Sequence, residues 1–258
     1  MTHAPVLASS PQSLIRIAGR LMLATLAASA LFASAVDAAE VVKESRSLTG
    51  TFKSVRLVGS ADLVLTQSDT QSLSVEGDKD AVQYLVAEIR GDELVLRYEP
   101  RSKFVWWNND HKSGPRFLLS TKNLERISTA GNGDVRSDAW TSAGDFEISV
   151  SGGSDIKIGS LAARKLLVRI AGSGDVTLAG GVLEQNVKIA GSGDYRSGDL
   201  KSANAVIAIS GSGDATLTAR DNLTVNIAGS GDVKYYGRPT ITRSIAGSGS
   251  ITGLGEKP

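Results

Sequence analysis

Apolar and polar residues alternate along most of this chain, and the alternation is clearest in its second half. Branched apolar residues hold every second position, while lysine, arginine, serine, threonine and asparagine lie between them. A period of two is typical of a β-strand with one buried face. One apolar position recurs about every 20 residues and holds Ile127, Ile148, Val168, Val187, Ile207 and Val225, until Arg243 breaks the series. The pattern predicts a succession of similar short strands.

A glycine-rich motif follows each of these strands. It reads "AGSGDV" at residues 171 to 176, and related copies recur in steps of 18 to 21 residues between residues 130 and 251. Glycine accepts positive φ without a steric penalty, so the motif predicts a tight corner. If Gly174 has positive φ, we expect Gly174→Val to impair folding. The residues predicted to form a structural ladder of corners are Gly172, Gly174, Asp175, Gly191, Gly193, Asp194, Gly211, Gly213, Asp214, Gly229, Gly231 and Asp232.

The repeat itself predicts the fold. Two short strands and a corner cannot bury an apolar face alone, whereas stacked copies can. We therefore predict an all-β protein, a parallel β-helix or β-solenoid with coils of about 20 residues. Successive coils would lie ~4.8 Å apart.

The solenoid is predicted to occupy residues 39–258, with regular coils at 129–254. Residues 47–128 lack the clean repeat, although a distant copy, "VGSADL", occurs at 58–63. We predict wider, less regular coils there, with an insertion at 100–115.

Two local features are predicted within that first half. Gly91 and Asp92 favour a hairpin turn, because both residue types are common in tight turns. The segment 78–85 is predicted to form one short helical turn.

Several segments together resemble one family. They are "FKSVRLVGSADLVLTQSDTQSLSVEGD", "GDELVLRYE", "LERISTAGNGDV" and the serial "AGSGDV" units. They are similar to the bacterial GIN-domain family, whose members are named putative auto-transporter adhesin head domains, and the similarity runs over about residues 47–254. The resemblance implies a right-handed, single-stranded β-helix and an adhesin-like role, and it supplies no catalytic residues.

The first 38 residues are predicted to be an export signal. Arg16 and Arg20 precede a twelve-residue apolar run at 21–32, which is too short to span a bilayer. The small residues that follow offer cleavage after Ala35 or Ala38. An uncleaved N-terminal anchor is the alternative. We expect a periplasmic, cell-surface or secreted protein with no transmembrane segment after signal removal.

Composition excludes several classes of function. The chain has 258 residues and a formal net charge of +1. Without residues 1–38 it has 26 basic and 26 acidic residues, which is a poor match to a nucleic-acid binder. The absence of cysteine excludes disulfides, thiolate metal sites and cysteine nucleophiles. The glycine motif is no phosphate loop, because a strand follows it where a helix would be needed. No cofactor is predicted.

The motif aspartates are predicted to form one row along the stack. Carboxylates ~5 Å apart repel by roughly 1 kcal/mol in water. Basic residues two positions along offset this charge at several coils, namely Arg136, Lys157, Arg196 and Lys234, with Thr177 and Thr216 at the others. A structural row of turn-capping aspartates and a weak cation site are both open. We expect no tight calcium site, since each coil offers one carboxylate and Ca²⁺ takes six to eight oxygens.

The insertion contains the least repetitive residues. Trp106 and Trp107 stand beside Asn108, Asn109 and His111. Tryptophan next to amide side chains can hold a sugar ring or a peptide, so these five are the candidate binding residues. The alternative is that the aromatic rings pack against the solenoid and cover exposed core.

These observations favour an exported, non-enzymatic binding or structural module of the bacterial cell envelope, adhesin-like in its contacts. Its partner would be an envelope or surface protein or glycan. The alternative is a carbohydrate-active β-helix enzyme acting on a polysaccharide, which the fold permits. Evenly spaced aspartates suit that alternative poorly, because acid–base catalysis needs a unique cluster.

Overall fold

The computed structural model describes residues 41–99 and 114–257. In that part of the chain, strands dominate and one short helix occurs. The strands and helix of the N-terminal region are β1 (Val41–Arg46), β2 (Ser54–Gly59), β3 (Asp62–Gln67), β4 (Ser72–Asp78), α1 (Lys79–Val82), β5 (Leu85–Arg90), β6 (Glu93–Tyr98) and β7 (Arg116–Thr121).

The remaining strands form a regular stack. They are β8 (Arg126–Gly131), β9 (Val135–Thr141), β10 (Asp145–Gly152), β11 (Ile156–Gly172), β12 (Val176–Gly191), β13 (Tyr195–Lys201), β14 (Asn204–Gly211), β15 (Ala215–Thr218), β16 (Asn222–Gly229), β17 (Val233–Tyr236), β18 (Thr240–Gly247) and β19 (Ile251–Gly253). β11 and β12 are long because each continues around a corner and pairs with neighbours on both sides of it.

The strands pair in two rows. One runs β5, β6, β2, β8, β10, β11, β12, β14, β16, β18. The other runs β1, β4, β7, β3, β9, β11, β12, β13, β15, β17, β19. Apart from the first pair of one row and the first two pairs of the other, every pairing is parallel. The prediction of an all-β parallel solenoid is confirmed.

Like residues stack on like residues inside the solenoid. The pairing register places Ile148 beside Val168 and Val168 beside Val187. Every member of this column from Ile127 to Val225 has 0 % exposure. Burial of one such side chain stabilises the fold by about 1.5–3 kcal/mol, so the repeating columns supply much of the stability.

The N-terminal region is organised differently from the predicted wider coils. β2 lies between β6 and β8, and β3 lies between β7 and β9, so the order in space differs from the order along the chain. β1, β4 and β5 make antiparallel pairs at this end of the stack. The predicted hairpin is present, with Gly91 at φ +65° between β5 and β6. The predicted helical turn is α1.

The last coil breaks the repeat in two ways. Arg243 pairs with Val225 in register and holds the apolar column position. Ser250 stands where other coils have aspartate. β18 is exposed throughout, with Ile241 and Ile245 among its exposed side chains. A polar final repeat is typical of solenoid caps, because the outer face has no further coil to cover it.

Candidate functional site

The two glycines of each corner have different physical tasks. Gly172 has φ +133°, a region that side chains disfavour. Gly174 has no such φ, but a Cβ there would lie 2.1 Å from the carbonyl oxygen of Ser154 in the preceding coil. The expectation of positive φ therefore applies to Gly172, whereas Gly174 is needed for close approach of two backbones. The same pattern recurs at Gly191 and Gly193 and in the later coils.

The motif aspartates form a continuous hydrogen-bond ladder. The backbone N–H of Asp194 donates to Oδ1 of Asp175 at 2.8 Å, and the N–H of Asp214 donates to Oδ1 of Asp194 at 2.9 Å. The same bond joins every successive pair in the row Asp62, Asp134, Asp155, Asp175, Asp194, Asp214 and Asp232. Each carboxylate in this aspartate ladder thus caps the corner of the next coil.

The aspartate ladder ends at Ser250, which donates hydrogen bonds to the last aspartate. Ser250 donates both its backbone N–H and its hydroxyl to Oδ1 of Asp232, each at 2.8 Å. These two bonds, the hydroxyl first, lower the pKa of the Asp232 carboxyl below its ordinary value. Ser250 thus satisfies the hydrogen-bonding capacity of the Asp232 Oδ1 atom. An aspartate at this place would add a further carboxylate that no backbone N–H of a later coil in the described part of the chain could meet.

Basic side chains stand along the outer carboxylate oxygens. Arg196 donates to Oδ2 of Asp194 at 2.8 Å and also to Oδ2 of Asp175. The hydrogen bond that Arg196 donates to Asp175 is the main cause that raises the pKa of Arg196. Arg136 reaches Oδ2 of Asp134 at 3.4 Å. Positive charge therefore offsets the repulsion along the row at two places.

The ladder offers little to a metal ion. One oxygen of every aspartate in it accepts a backbone N–H, and Arg136 and Arg196 engage outer oxygens. Within residues 41–99 and 114–257, no three histidine, cysteine, aspartate or glutamate side chains are grouped as a metal site would need. Ca²⁺ takes six to eight oxygens, and a row of singly engaged carboxylates does not present them together.

A buried polar network lies in the core, and the sequence analysis missed it. The Tyr195 hydroxyl donates to Oε1 of Gln185 at 2.8 Å. Nε2 of Gln185 donates to Oγ of Ser202 at 2.8 Å, and the Ser202 hydroxyl donates to the carbonyl of Thr218 at 2.8 Å. Burial raises the pKa of Tyr195. The available signal was Tyr195 itself, a polar tip in a column otherwise held by valine, isoleucine and alanine.

The binding residues predicted in the insertion stay a prediction. Trp106, Trp107, Asn108, Asn109 and His111 all lie outside the described residues. In sequence they fall between β6 and β7.

Two grooves contain charged residues that the glycine–aspartate repeat did not predict. One, of about 310 Å³, contains the carboxylates of Glu125, Asp145 and Glu147 beside Arg126 and Lys165. We name it the ion-pair groove, because each of these carboxylates has a cationic partner.

The second, which we name the basic groove, has a volume of about 660 Å³. It lies at a corner of the later coils, and its lining residues are Ala163, Gly181, Val182, Leu183, Lys201, Ser202, Ala203, Thr218, Ala219, Arg220, Gly237, Arg238, Glu256 and Lys257.

Comparison with known families gives a match over most of the chain. The sequence profile described as "Putative auto-transporter adhesin, head GIN domain" matches residues 51–239. The chain belongs to this family. The resemblance seen in the sequence is thereby confirmed, and the GIN domain includes the regular coils up to β17 as well as most of the N-terminal region.

Solved structures share the fold of this GIN domain. A putative adhesin from Bacteroides fragilis superposes with a TM-score of 0.75 at 24 % identity, covering 83 % of this chain and 97 % of its own. A protein from Parabacteroides distasonis, named a putative lipid binding protein, gives 0.64 at 28 % identity, with 83 % and 96 % covered. A putative adhesin from Parabacteroides merdae gives 0.64 at 20 % identity, with 83 % and 96 % covered. No curated protein matches the chain.

Among the residues that the structure describes, no helix is both long enough and apolar enough to cross a bilayer.

Proposed function

We propose that this GIN domain is an exported, non-enzymatic binding module of the bacterial cell envelope, adhesin-like in its mode of contact. The observation that carries the proposal is the aspartate ladder, in which repeated carboxylates are engaged in coil-to-coil hydrogen bonds. Residues used in this way build a rigid rod and are not free for acid–base chemistry. The names of the family and of its solved neighbours support an adhesin-like role.

The location and the contact residues are part of the proposal. Residues 1–38 direct export, and the protein acts in the periplasm, at the cell surface or after release. Trp106, Trp107, Asn108, Asn109 and His111 contact an envelope protein or glycan. Paired tryptophans and amides suit such a partner, because aromatic rings supply large contact area and amides supply hydrogen bonds.

A binding assay tests this function. The purified protein and its Trp106→Ala/Trp107→Ala variant would be screened against immobilised glycans and solubilised envelope fractions, with circular dichroism to verify folding. We expect the wild type to retain a specific component and the folded double variant to lose it. Retention of nothing by the wild type, or equal retention by both proteins, would contradict the proposal.

The alternative function is a polysaccharide-cleaving enzyme, and one observation favours it. The ion-pair groove gathers Glu125, Asp145 and Glu147 beside basic residues, away from the repeating ladder. Glycosidases use a pair of carboxylates across the scissile bond. The pairing of Glu147 with Arg126 at 3.1 Å, together with its bond to Arg169, accounts for this carboxylate as a surface ion pair.

Incubation with acidic and neutral polysaccharides separates the two functions. We expect no new reducing ends from the wild type. Cleavage that disappears in Glu147→Gln would replace the binding proposal with the enzymatic one.

A further inference from the structure

Small residues line the turn of two successive coils in the basic groove. Gly237 has φ +100°, and a Cβ there would lie 2.2 Å from the carbonyl oxygen of Ala219. Ala219 is itself fully buried. Longer side chains of the neighbouring positions complete the lining of this trough. Its volume of about 660 Å³ lies within the range of small-molecule sites, roughly 300–1,000 Å³.

One side of the trough is apolar. Val182, Ala163 and Ala203 line it, and Leu183 stands at its edge with 61 % of its surface exposed. Leu183 is the most exposed large hydrophobic residue among the described residues. Apolar surface that remains open beside a concave site favours an apolar ligand group, because its burial on binding is stabilising.

The other side is cationic. Backbone bonds from Ala219 to Tyr236 and from Gly237 to Gly255 set the register of the last coils. In that register Arg220, Arg238 and Lys257 hold the same place in three successive coils, ~4.8 Å apart. With Lys201, four cations and the carboxylate of Glu256 line the trough, while Asp221 and Asp199 pair with Arg220 and Lys257 from outside the lining.

Both arginines meet exposed carboxylates. Arg220 donates from Nε and Nη2 to the two carboxylate oxygens of Asp221 at 2.7 and 2.8 Å, with side-chain exposures of 76 % and 46 %, so a ligand anion there would have to displace that carboxylate. Arg238 meets Glu256 at 3.3 Å, with side-chain exposures of 84 % and 65 %. Such an exposed pair contributes little, and a ligand anion can replace the carboxylate at small cost. Lys257 is more engaged, since it meets Asp199 and lies 5.1 Å from the ring centroid of Tyr236. Lys201 has no acidic partner among the described residues.

The lining chemistry selects one class of ligand. No aromatic side chain of the described residues lines this trough, so it lacks the ring that would stack on a sugar. Two guanidinium groups in adjacent coils suit a phosphate, because each can donate two parallel hydrogen bonds to its oxygens. We propose that the basic groove binds a single-chain phosphate amphiphile, with the phosphate between Arg220 and Arg238 and the acyl chain along Leu183 and Val182. The lining of the groove includes none of the residues of the proposed envelope contact, and this proposal does not rest on that contact.

Calorimetric titration with oleoyl lysophosphatidic acid, kept below its micelle concentration, tests the proposal. The comparison ligands are glycerol 3-phosphate, which lacks the chain, and oleoyl lysophosphatidylcholine, which lacks the net charge. We expect saturable binding of the first ligand and at least about tenfold weaker binding of each of the other two. Binding of glycerol 3-phosphate as tight as that of the whole amphiphile would overturn the proposal, as would equal binding of the choline ligand.

Matched variants locate the site. Arg238→Glu and Leu183→Asp alter exposed side chains, so both proteins should fold, and each should bind the amphiphile at least about tenfold more weakly. Lys188→Glu reverses a charge and Val206→Asp replaces an apolar side chain at exposed positions outside the groove, and both should bind like the wild type. If the groove variants bind like the wild type, the proposal is wrong. Envelope retention by Arg238→Glu should be unchanged, so failure here is distinguishable from failure of the envelope contact.

Discussion

The regular stack from β8 to β19 and the N-terminal region from β1 to β7 differ in how the order of strands in space follows their order along the chain. In the regular stack each coil lies on the one before it in sequence, and the aspartate bonds join residues 18 to 21 positions apart. In the N-terminal region β2 is enclosed by β6 and β8, and the first aspartate bond joins residues 72 positions apart. The regular stack is extended by adding similar coils in sequence order. The N-terminal end of the solenoid is formed instead by strands that are far apart in sequence.

The corners show why the two regions need different sequences. In the regular stack, a Cβ at Gly172 would lie 2.3 Å from the oxygen of Gly152. At Gly59, near the N-terminal end, the nearest atom to such a Cβ is the Tyr98 oxygen at 3.2 Å. Ala61 holds the place of the second corner glycine there. Gly59 keeps the positive φ of the first corner position, at +102°. The requirement for glycine at the second position is therefore the one set by how closely the neighbouring coil approaches.

The largest expected effect comes from a side chain placed where two backbones approach closely. Gly174→Val would drive Cβ into the backbone of Ser154, so we expect loss of the cooperative fold or a destabilisation of several kcal/mol. Gly144→Val is the matched control, because nothing lies within 4 Å of its added Cβ. Melting followed by circular dichroism compares them. Equal melting temperatures would refute the close-approach explanation.

The next largest effect is expected from substitutions in the core, and it distinguishes the regular stack from the N-terminal region. Leu57→Ala in β2 and Ile227→Ala in β16 each remove a buried side chain, at a cost of about 2–5 kcal/mol. Among the described strands β16 pairs only with β14 and β18, so we expect Ile227→Ala to speed amide hydrogen exchange mainly in the last coils. β2 joins the end strands to the stack, so Leu57→Ala should speed exchange in β6 and β8 as well. Identical exchange patterns in the two variants would mean that the regions unfold as one unit.

The regular stack was predictable because one period determines it. The column from Ile127 to Val225 and the glycine corners repeat at nearly constant steps, and their stacking follows from that. The order β6, β2, β8 was not predictable, since alternation shows that a strand has a buried face without showing which strand it pairs with. The different roles of Gly172 and Gly174 could not be predicted from the sequence either. Residue type alone does not show whether a glycine is required by a positive φ or by the close approach of another backbone.

A smaller effect tests the ladder itself. Asp175→Ala would leave the N–H of Asp194 without its acceptor, at a cost of about 1–3 kcal/mol. Asp175→Asn keeps an oxygen at that place and should cost less. Thermal melts of both variants give the comparison. Equal losses would show that the charge of Asp175 matters and the backbone bond does not.

The smallest effect depends on pH. Because the folded state lowers the pKa of Asp232, its ionised form adds stability that is present above the ordinary carboxyl pKa and is lost as pH falls through the folded pKa. Ser250→Ala removes the hydroxyl bond and keeps the backbone bond. We expect its melting temperature to be slightly below that of the wild type at pH 7, with the difference vanishing at acid pH. A difference that grows on acidification would contradict this.

The site was less predictable than the fold. The aspartate row could be placed from sequence, but its hydrogen bonds required the exact alignment of successive corners. Gln185 and Ser202 are unremarkable in sequence and become a buried pair only through the stacking of coils. The basic groove likewise depends on register, because Arg220 and Arg238 are 18 residues apart and become neighbours when the coils stack.

The most direct test of the ladder as a structural element is thermal melting in 0.1 mM Ca²⁺ against melting in EDTA. A ligand that binds only the folded state raises stability by RT ln(1 + [L]/Kd). With the carboxylates engaged by backbone N–H groups and arginines, we predict the same melting temperature in both buffers. A clear rise in Ca²⁺ that Asp175→Asn abolishes would show that the aspartate row is a cation site.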